Sequence, residues 1–150
     1  MEGSKAVKTS LEGDFAQASW RPDQQEERAL IHQSHVGKLG RVDQIWPWLA
    51  AQHGQVLAVD APHAAHVERF CYAELADRIA TAAAAFQQLG IRSGDVVALF
   101  AENSPRWLVA DQGLMRAGAA DAVRGATAPV DELRYILEDS GAIALVVQTA

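Results

Sequence analysis

A single cysteine, Cys71, stands in the whole chain, so no internal disulfide can form and a reducing compartment is the natural setting. No apolar run approaches the roughly 18–20 residues that a bilayer span requires. The opening Met1-Glu2-Gly3-Ser4-Lys5 is not followed by an apolar stretch, which excludes a secretory signal. Basic clusters are missing as well: 13 Lys and Arg are outnumbered by 19 Asp and Glu, and the net charge of −6 is spread along the chain. That pattern excludes a nucleic-acid surface and announces no electrostatic partner. Neither G-x-G-x-x-G nor G-x-x-x-x-G-K-S/T occurs, so no phosphate loop is present. The expectation is a cytoplasmic protein without a transmembrane segment, with peripheral membrane association left open.

Large apolar residues are scarce in the first forty positions, although 49% of the 150 residues are hydrophobic. Residues 1–40 are therefore expected to form a polar, disordered arm, with at most a short helix after Arg21-Pro22 anchored by Leu30 and Ile31. Periodicity begins at Val42. Val42, Ile45, Trp46 and Leu49 fall on one helical face, with Asp43 as the N-cap, Pro47 in the first turn and Gly54 at the end. A strand over Val56-Leu57-Ala58-Val59, a turn at Asp60-Ala61-Pro62-His63 and an extended His66–Phe70 follow. The spacing then predicts a helix from Ala73 to Leu89 with Leu75, Ile79, Ala82, Phe86 and Leu89 as its stripe, closed by Gly90. Strands at Val96–Ala101, Ala119–Val123 and Ile143–Gln148 alternate with helices that begin at Pro105 and Pro129 and end at Gly118 and Ser140-Gly141. Such alternation predicts an α/β fold: the first half of a doubly wound, mainly parallel sheet with flanking helices, preceded by a helix and a β-hairpin. The last strand has no helix after it, which predicts an incomplete domain over residues 41–150.

Several residues carry two readings. His32/His35 and His63/His66, with Glu68 and Cys71 near the second pair, have metal-like spacing, but no Cys pair reinforces them and solvated histidines are the stronger reading. Trp46 and Trp107 read as packing residues. Asn103, Ser104 and Arg106 stand at a strand's carboxyl end, where open α/β sheets place ligands, yet Asn103 or Ser104 directly before Pro105 is explained by helix capping. Arg124 suits a phosphate of an acceptor, although a surface salt bridge is its commoner fate. No residue is assigned a catalytic, cofactor-binding or metal-binding role.

The order of short motifs resembles the N-terminal portion of the adenylate-forming (AMP-dependent) acyl ligases. The matching residues are Tyr72, Glu74, Leu75, Leu89, Gly90, Gly94, Asp95, Asn103, Ser104, Pro105, Trp107, Ala117, Gly118, Glu132, Leu133, Tyr135, Ile136, Asp139, Ser140 and Gly141. Three further segments are similar to long-chain acyl-acyl-carrier-protein synthetases: Val42-Asp43-Gln44-Ile45-Trp46-Pro47, Ala110-Asp111-Gln112-Gly113 and Ala122-Val123-Arg124. Cys71 departs from the family pattern, in which Thr or Ser completes a capping box with the glutamate, so half of that box is expected to be missing. The small Gly125-Ala126-Thr127-Ala128 segment is a second departure.

The resemblance implies a ligase that activates a long-chain fatty acid with ATP and Mg²⁺ as acyl-AMP and passes it to acyl carrier protein or CoA. It also implies that the triphosphate loop, the nucleotide-binding aspartates and the catalytic lysine lie outside these residues. A chain of this kind is expected to have no ligase activity by itself and to bind no ATP. The alternative is a stand-alone flavodoxin-like binding or regulatory module.

Overall fold

The computed structural model describes residues 39–62 and 68–148. Residues 1–38 of the segment expected as an arm over 1–40, and the histidine pairs His32/His35 and His63/His66, lie outside the described residues. A 3-10 turn at Val42–Gln44 leads into α1 (Ile45–His53), and β1 (Leu57–Ala61) pairs antiparallel with β2 (Glu68–Cys71). Then come α2 (Tyr72–Gln88), β3 (Val96–Phe100), α3 (Pro105–Ala117), β4 (Ala120–Arg124), α4 (Val130–Asp139) and β5 (Ala144–Val147). β3, β4 and β5 form a parallel sheet in the order β4-β3-β5, with Val97 opposite both Asp121 and Ala144. The α/β alternation is thus realised as a two-stranded antiparallel pair followed by a three-stranded parallel sheet.

The central strand explains the apolar run in the sequence. Val97, Ala98, Leu99 and Phe100 are all buried because β3 has a neighbour on each side and helices on both faces. The path from β3 to β4 runs one way across the sheet and the path from β4 to β5 runs back, so right-handed crossovers put α3 and α4 on opposite faces. Side chains agree with that placement. Asp121 faces Asp111 of α3, and Arg124, three residues on and hence of opposite parity, faces Glu132 of α4.

Two buried clusters share α3. Ile91, Val97, Leu114 and Ala119 form one, with Phe86, Ala144 and Val146 against it. Phe70, Leu75 and Ile79 form the other, against which Trp46, Ala58, Val59, Leu108 and Val109 pack. α3 lies close along α2 because Gly113 has no side chain: a Cβ there would come within 2.8 Å of the Ala82 Cβ. α3 ends as expected, with Gly118 at φ 88° in the left-handed region.

Four local expectations are corrected. Asp43 does not cap α1; its carboxylate pairs with Arg41 at 2.8 Å, and Gln44 holds the cap position without a side-chain bond. Val42 is exposed in the preceding 3-10 turn, so the half-buried stripe of α1 starts at Ile45. Asp60 and Ala61 belong to β1, since Asp60 pairs with Arg69 both in register and by a side-chain ion pair at 3.0 Å. Leu89 is 79% exposed because it caps α2 instead of continuing its stripe, and Ile91 enters the core beyond the turn.

The capping box at the start of α2 is complete. Glu74 accepts a hydrogen bond from the Cys71 backbone N–H at 2.9 Å, and the Cys71 sulfur takes the place of the missing hydroxyl oxygen. Hydrogen bonds to the Glu74 carboxylate, from the Cys71 backbone N–H first and then from the Cys71 thiol, hold that carboxyl below its ordinary value. A depressed folded value contributes stability above the unfolded value, 4.5, and loses it as pH falls through the folded one. Glu74→Ala is therefore expected to lower the melting temperature at neutral pH, and the gap to wild type should close in acid.

Candidate functional site

The carboxyl ends of β3, β4 and β5 are where an open parallel sheet would receive a ligand. Here the end is bridged by exposed hydrogen bonds among its own side chains. Gln148, just past β5, accepts the Glu102 N–H at 3.0 Å. The Glu102 carboxylate accepts from the Thr127 N–H at 3.3 Å and the Thr127 hydroxyl at 3.1 Å. The unusually small segment after β4 permits this, because a Cβ on Gly125 would sit 3.2 Å from that carboxylate. Glu102 carries no signal in the sequence and Thr127 stands out only as part of the small segment after β4; they are 25 residues apart, and only the parallel pairing of β3 with β4 brings them together.

The residues singled out beforehand at this edge are engaged structurally. The Ser104 hydroxyl accepts the Trp107 N–H at 3.1 Å, an N-cap on α3 with Pro105 at its first position. Ser104→Ala should accordingly cost about 1 kcal/mol of stability in chemical denaturation. Arg106 reaches Glu68 at 3.7 Å with most of its side chain in solvent, a contact of small energetic weight. Arg124 donates to Glu132 at 2.6 Å, which raises its guanidinium further above its ordinary value and commits it to a salt bridge. Asn103 is exposed.

A second locus is buried and polar. The Trp46 indole N–H donates to the Gln112 Oε1 at 2.6 Å, and the Gln112 amide donates to Asp111. Asp111 is only 7% exposed and lies against Asp121 of β4. Burial, then the hydrogen bond and charge of Asp111, push the Asp121 carboxyl up to about 6. Its Oδ2 is buried without a hydrogen-bond partner among the described residues. The expectation that Trp46 is a packing residue holds, with a polar anchor added.

A third locus is a groove of about 450 Å³ between α2 and α3, lined by Phe70, Phe86, Pro105 and Val109. Arg78 stacks its guanidinium 4.0 Å from the centre of the Phe70 ring there. Cys71, near this end of β2, is a free, partly exposed thiol. Among the described residues no three His, Cys, Asp or Glu side chains converge on a metal position, and no helix is long and apolar enough to cross a membrane.

None of these loci fits a nucleoside triphosphate. The sheet edge presents the Glu102 carboxylate, Arg124 is taken by Glu132, Arg106 reaches Glu68, and the Ser104 hydroxyl is spent on the helix N-terminus.

Comparison with known proteins places these features in a family context. The family model described as AMP-binding enzyme matches residues 47–150. A chloroplastic long-chain-fatty-acid–acyl-carrier-protein ligase of Arabidopsis thaliana is 38% identical over 106 residues, covering 71% of this chain and 15% of that protein. A crotonobetaine/carnitine–CoA ligase of Escherichia coli is 36% identical over 104 residues, covering 69% of this chain and 20% of its own. Among solved structures, the N-terminal subdomain of Klebsiella oxytoca NpsA superposes with a TM-score of 0.67 at 25% identity, over 73% of this chain and 28% of that one. The chain thus spans about a seventh to a fifth of the length of these curated relatives.

Proposed function

We propose, since this chain belongs to the AMP-binding enzyme family, that residues 41–150 are the N-terminal portion of a ligase that activates long-chain fatty acids. The acid is joined to AMP at the expense of ATP, with Mg²⁺ bound in that enzyme, and the acyl group then passes to a thiol. Acyl carrier protein is the favoured acceptor and CoA the second. The observation that carries this reading is the 38% identity to an acyl-carrier-protein ligase over 106 residues. It is supported by the meeting of two of its subgroup-like segments, Val42–Pro47 and Ala110–Gly113, through the Trp46–Gln112 hydrogen bond. In this reading the chain supplies scaffold: it fixes the sheet and its two helical faces, while nucleotide, metal and lysine chemistry belong to other parts of such a ligase. The proposed setting of such an enzyme is the cytoplasm, with peripheral association at a membrane.

A graft tests the reading directly. Residues 41–150 replace the matching segment of the Arabidopsis ligase, and the chimaera is assayed with palmitate, ATP and either holo-acyl carrier protein or CoA. Retained acyl transfer with preference for the carrier protein is expected. A folded chimaera that forms no acyl-adenylate would overturn the reading. The 150-residue chain alone should show no heat of ATP binding in calorimetry, and stoichiometric binding would contradict the scaffold role.

A further inference from the structure

Asp111 and Asp121 are separate in sequence and no described cation is bonded to either. Asp111 lies on α3 with 7% exposure, and Asp121 reaches it from β4. The groups around them are accounted for. On β3 the residue opposite Asp121 is Val97. Arg124 of β4 points to the other face and is held by Glu132. Arg41 and Asp43, in the turn before α1, pair with each other. Arg116 on α3, and Glu74, Asp77 and Arg78 on α2, form no ion pair with either aspartate; the ion pairs among the described residues involve other groups.

Two neighbouring carboxyl groups without a cation, Asp111 buried and Asp121 partly so with its Oδ2 enclosed and unpartnered among the described residues, are most stable when one is neutral, because its O–H can donate to the other carboxylate. The neutral partner turns repulsion into a hydrogen bond. Asp111 also accepts from the Gln112 amide, which orients the Gln112 carbonyl toward the Trp46 indole. The state of the pair is thereby connected to the seating of α1.

From this arrangement we infer that Asp111 and Asp121 share a single proton, and that this proton is a latch holding α3 on β4 and, through Gln112, α1 on α3. Loss of the proton leaves two like charges across the α3–β4 contact. The line from Asp121 to Trp46 then loosens without any change in the apolar clusters. The inference is independent of the ligase reading, since it concerns only groups within this chain.

Trp46 reports on the latch. In a proton–nitrogen correlation spectrum of the whole chain, its indole N–H resonance, assigned with Trp46→Phe, should shift along one titration curve with a midpoint near 6. The Asp121 carboxyl carbon should titrate with the same midpoint. In Asp121→Asn the shift of the indole resonance should be lost. An indole signal that stays flat through that range, or one that titrates unchanged in Asp121→Asn, would overturn the latch. So would an Asp121 carbon that titrates near 3.8, the ordinary value. The wild-type spectra decide the question even if the variant fails to fold.

Discussion

Gly113→Val is expected to be the most damaging single substitution described, costing about 3 kcal/mol or more in chemical denaturation. The hydrogen of Gly113 faces α2 so closely that a Cβ would meet the Ala82 Cβ at 2.8 Å, and the Ala83 nitrogen and the Phe86 ring at 3.4 Å. The first of these contacts is shorter than carbon atoms tolerate, and it is made with a short side chain fixed to a helix, so nothing flexible can move aside. Relief requires α3 to move away from α2, and both buried clusters contain residues of α3 or packed against it. Gly113→Ala separates the two opposing terms. Alanine in a helix interior is worth roughly 0.5–1 kcal/mol over glycine, so a net loss on Gly113→Ala would isolate the steric cost. A stabilised Gly113→Ala would mean that α2 and α3 are not in the contact described.

Gly113 also shows how far the sequence could be read. A glycine inside a helical pattern is legible as an anomaly, and Asp111-Gln112-Gly113 stood out as a motif; its partner, a run of alanines in α2, could not be assigned to it. The ends of α2 and α3 were legible because they depend on neighbours in the chain. Ser104 caps through a residue three positions away, and Gly90 and Gly118 take positive φ values of 98° and 88°. Burial of β3 was legible because an uninterrupted apolar run fits a strand covered on both faces.

What was not legible depends on distant partners. Leu89 satisfies the periodicity of α2 yet faces solvent, since the helix ends one residue earlier and Ile91 takes the core position. Asp43 has the right chemistry for an N-cap, but its carboxylate pairs with Arg41 and Gln44 holds the cap position. Cys71 seemed to break a capping box, because sulfur is the weaker acceptor; the Glu74 half of the box is made with the backbone and needs no hydroxyl at all. The candidate site was least legible of all. Glu102 with Thr127, Arg124 with Glu132 and Trp46 with Gln112 are pairs made by sheet order and helix placement, and no local signal announces them.

Asp121→Asn should stabilise the folded chain at neutral pH, which is unusual for a change at a partly buried polar residue. The sign follows from the raised value. The Asp121 carboxyl titrates near 6 in the folded chain against 3.8 when unfolded, so between those values the folded state binds more protons. Stability contributed by this group is complete below about 3.8 and is lost as pH rises through 6, leaving a charged, partly desolvated carboxylate at pH 7. A fully enclosed group with this difference would cost roughly 3 kcal/mol, and partial access to water reduces the figure to about 2 kcal/mol. Asparagine keeps the shape, remains neutral, and its amide can donate to the Asp111 carboxylate in place of the shared proton. Urea denaturation should therefore show Asp121→Asn more stable than wild type by about 2 kcal/mol at pH 7, with the two curves meeting near pH 4. Equal stabilities at pH 7 would mean that Asp121 is already ionised and solvated there. That result would also remove the charge repulsion on which the α3–β4 latch depends, whatever reaction the family fold supports.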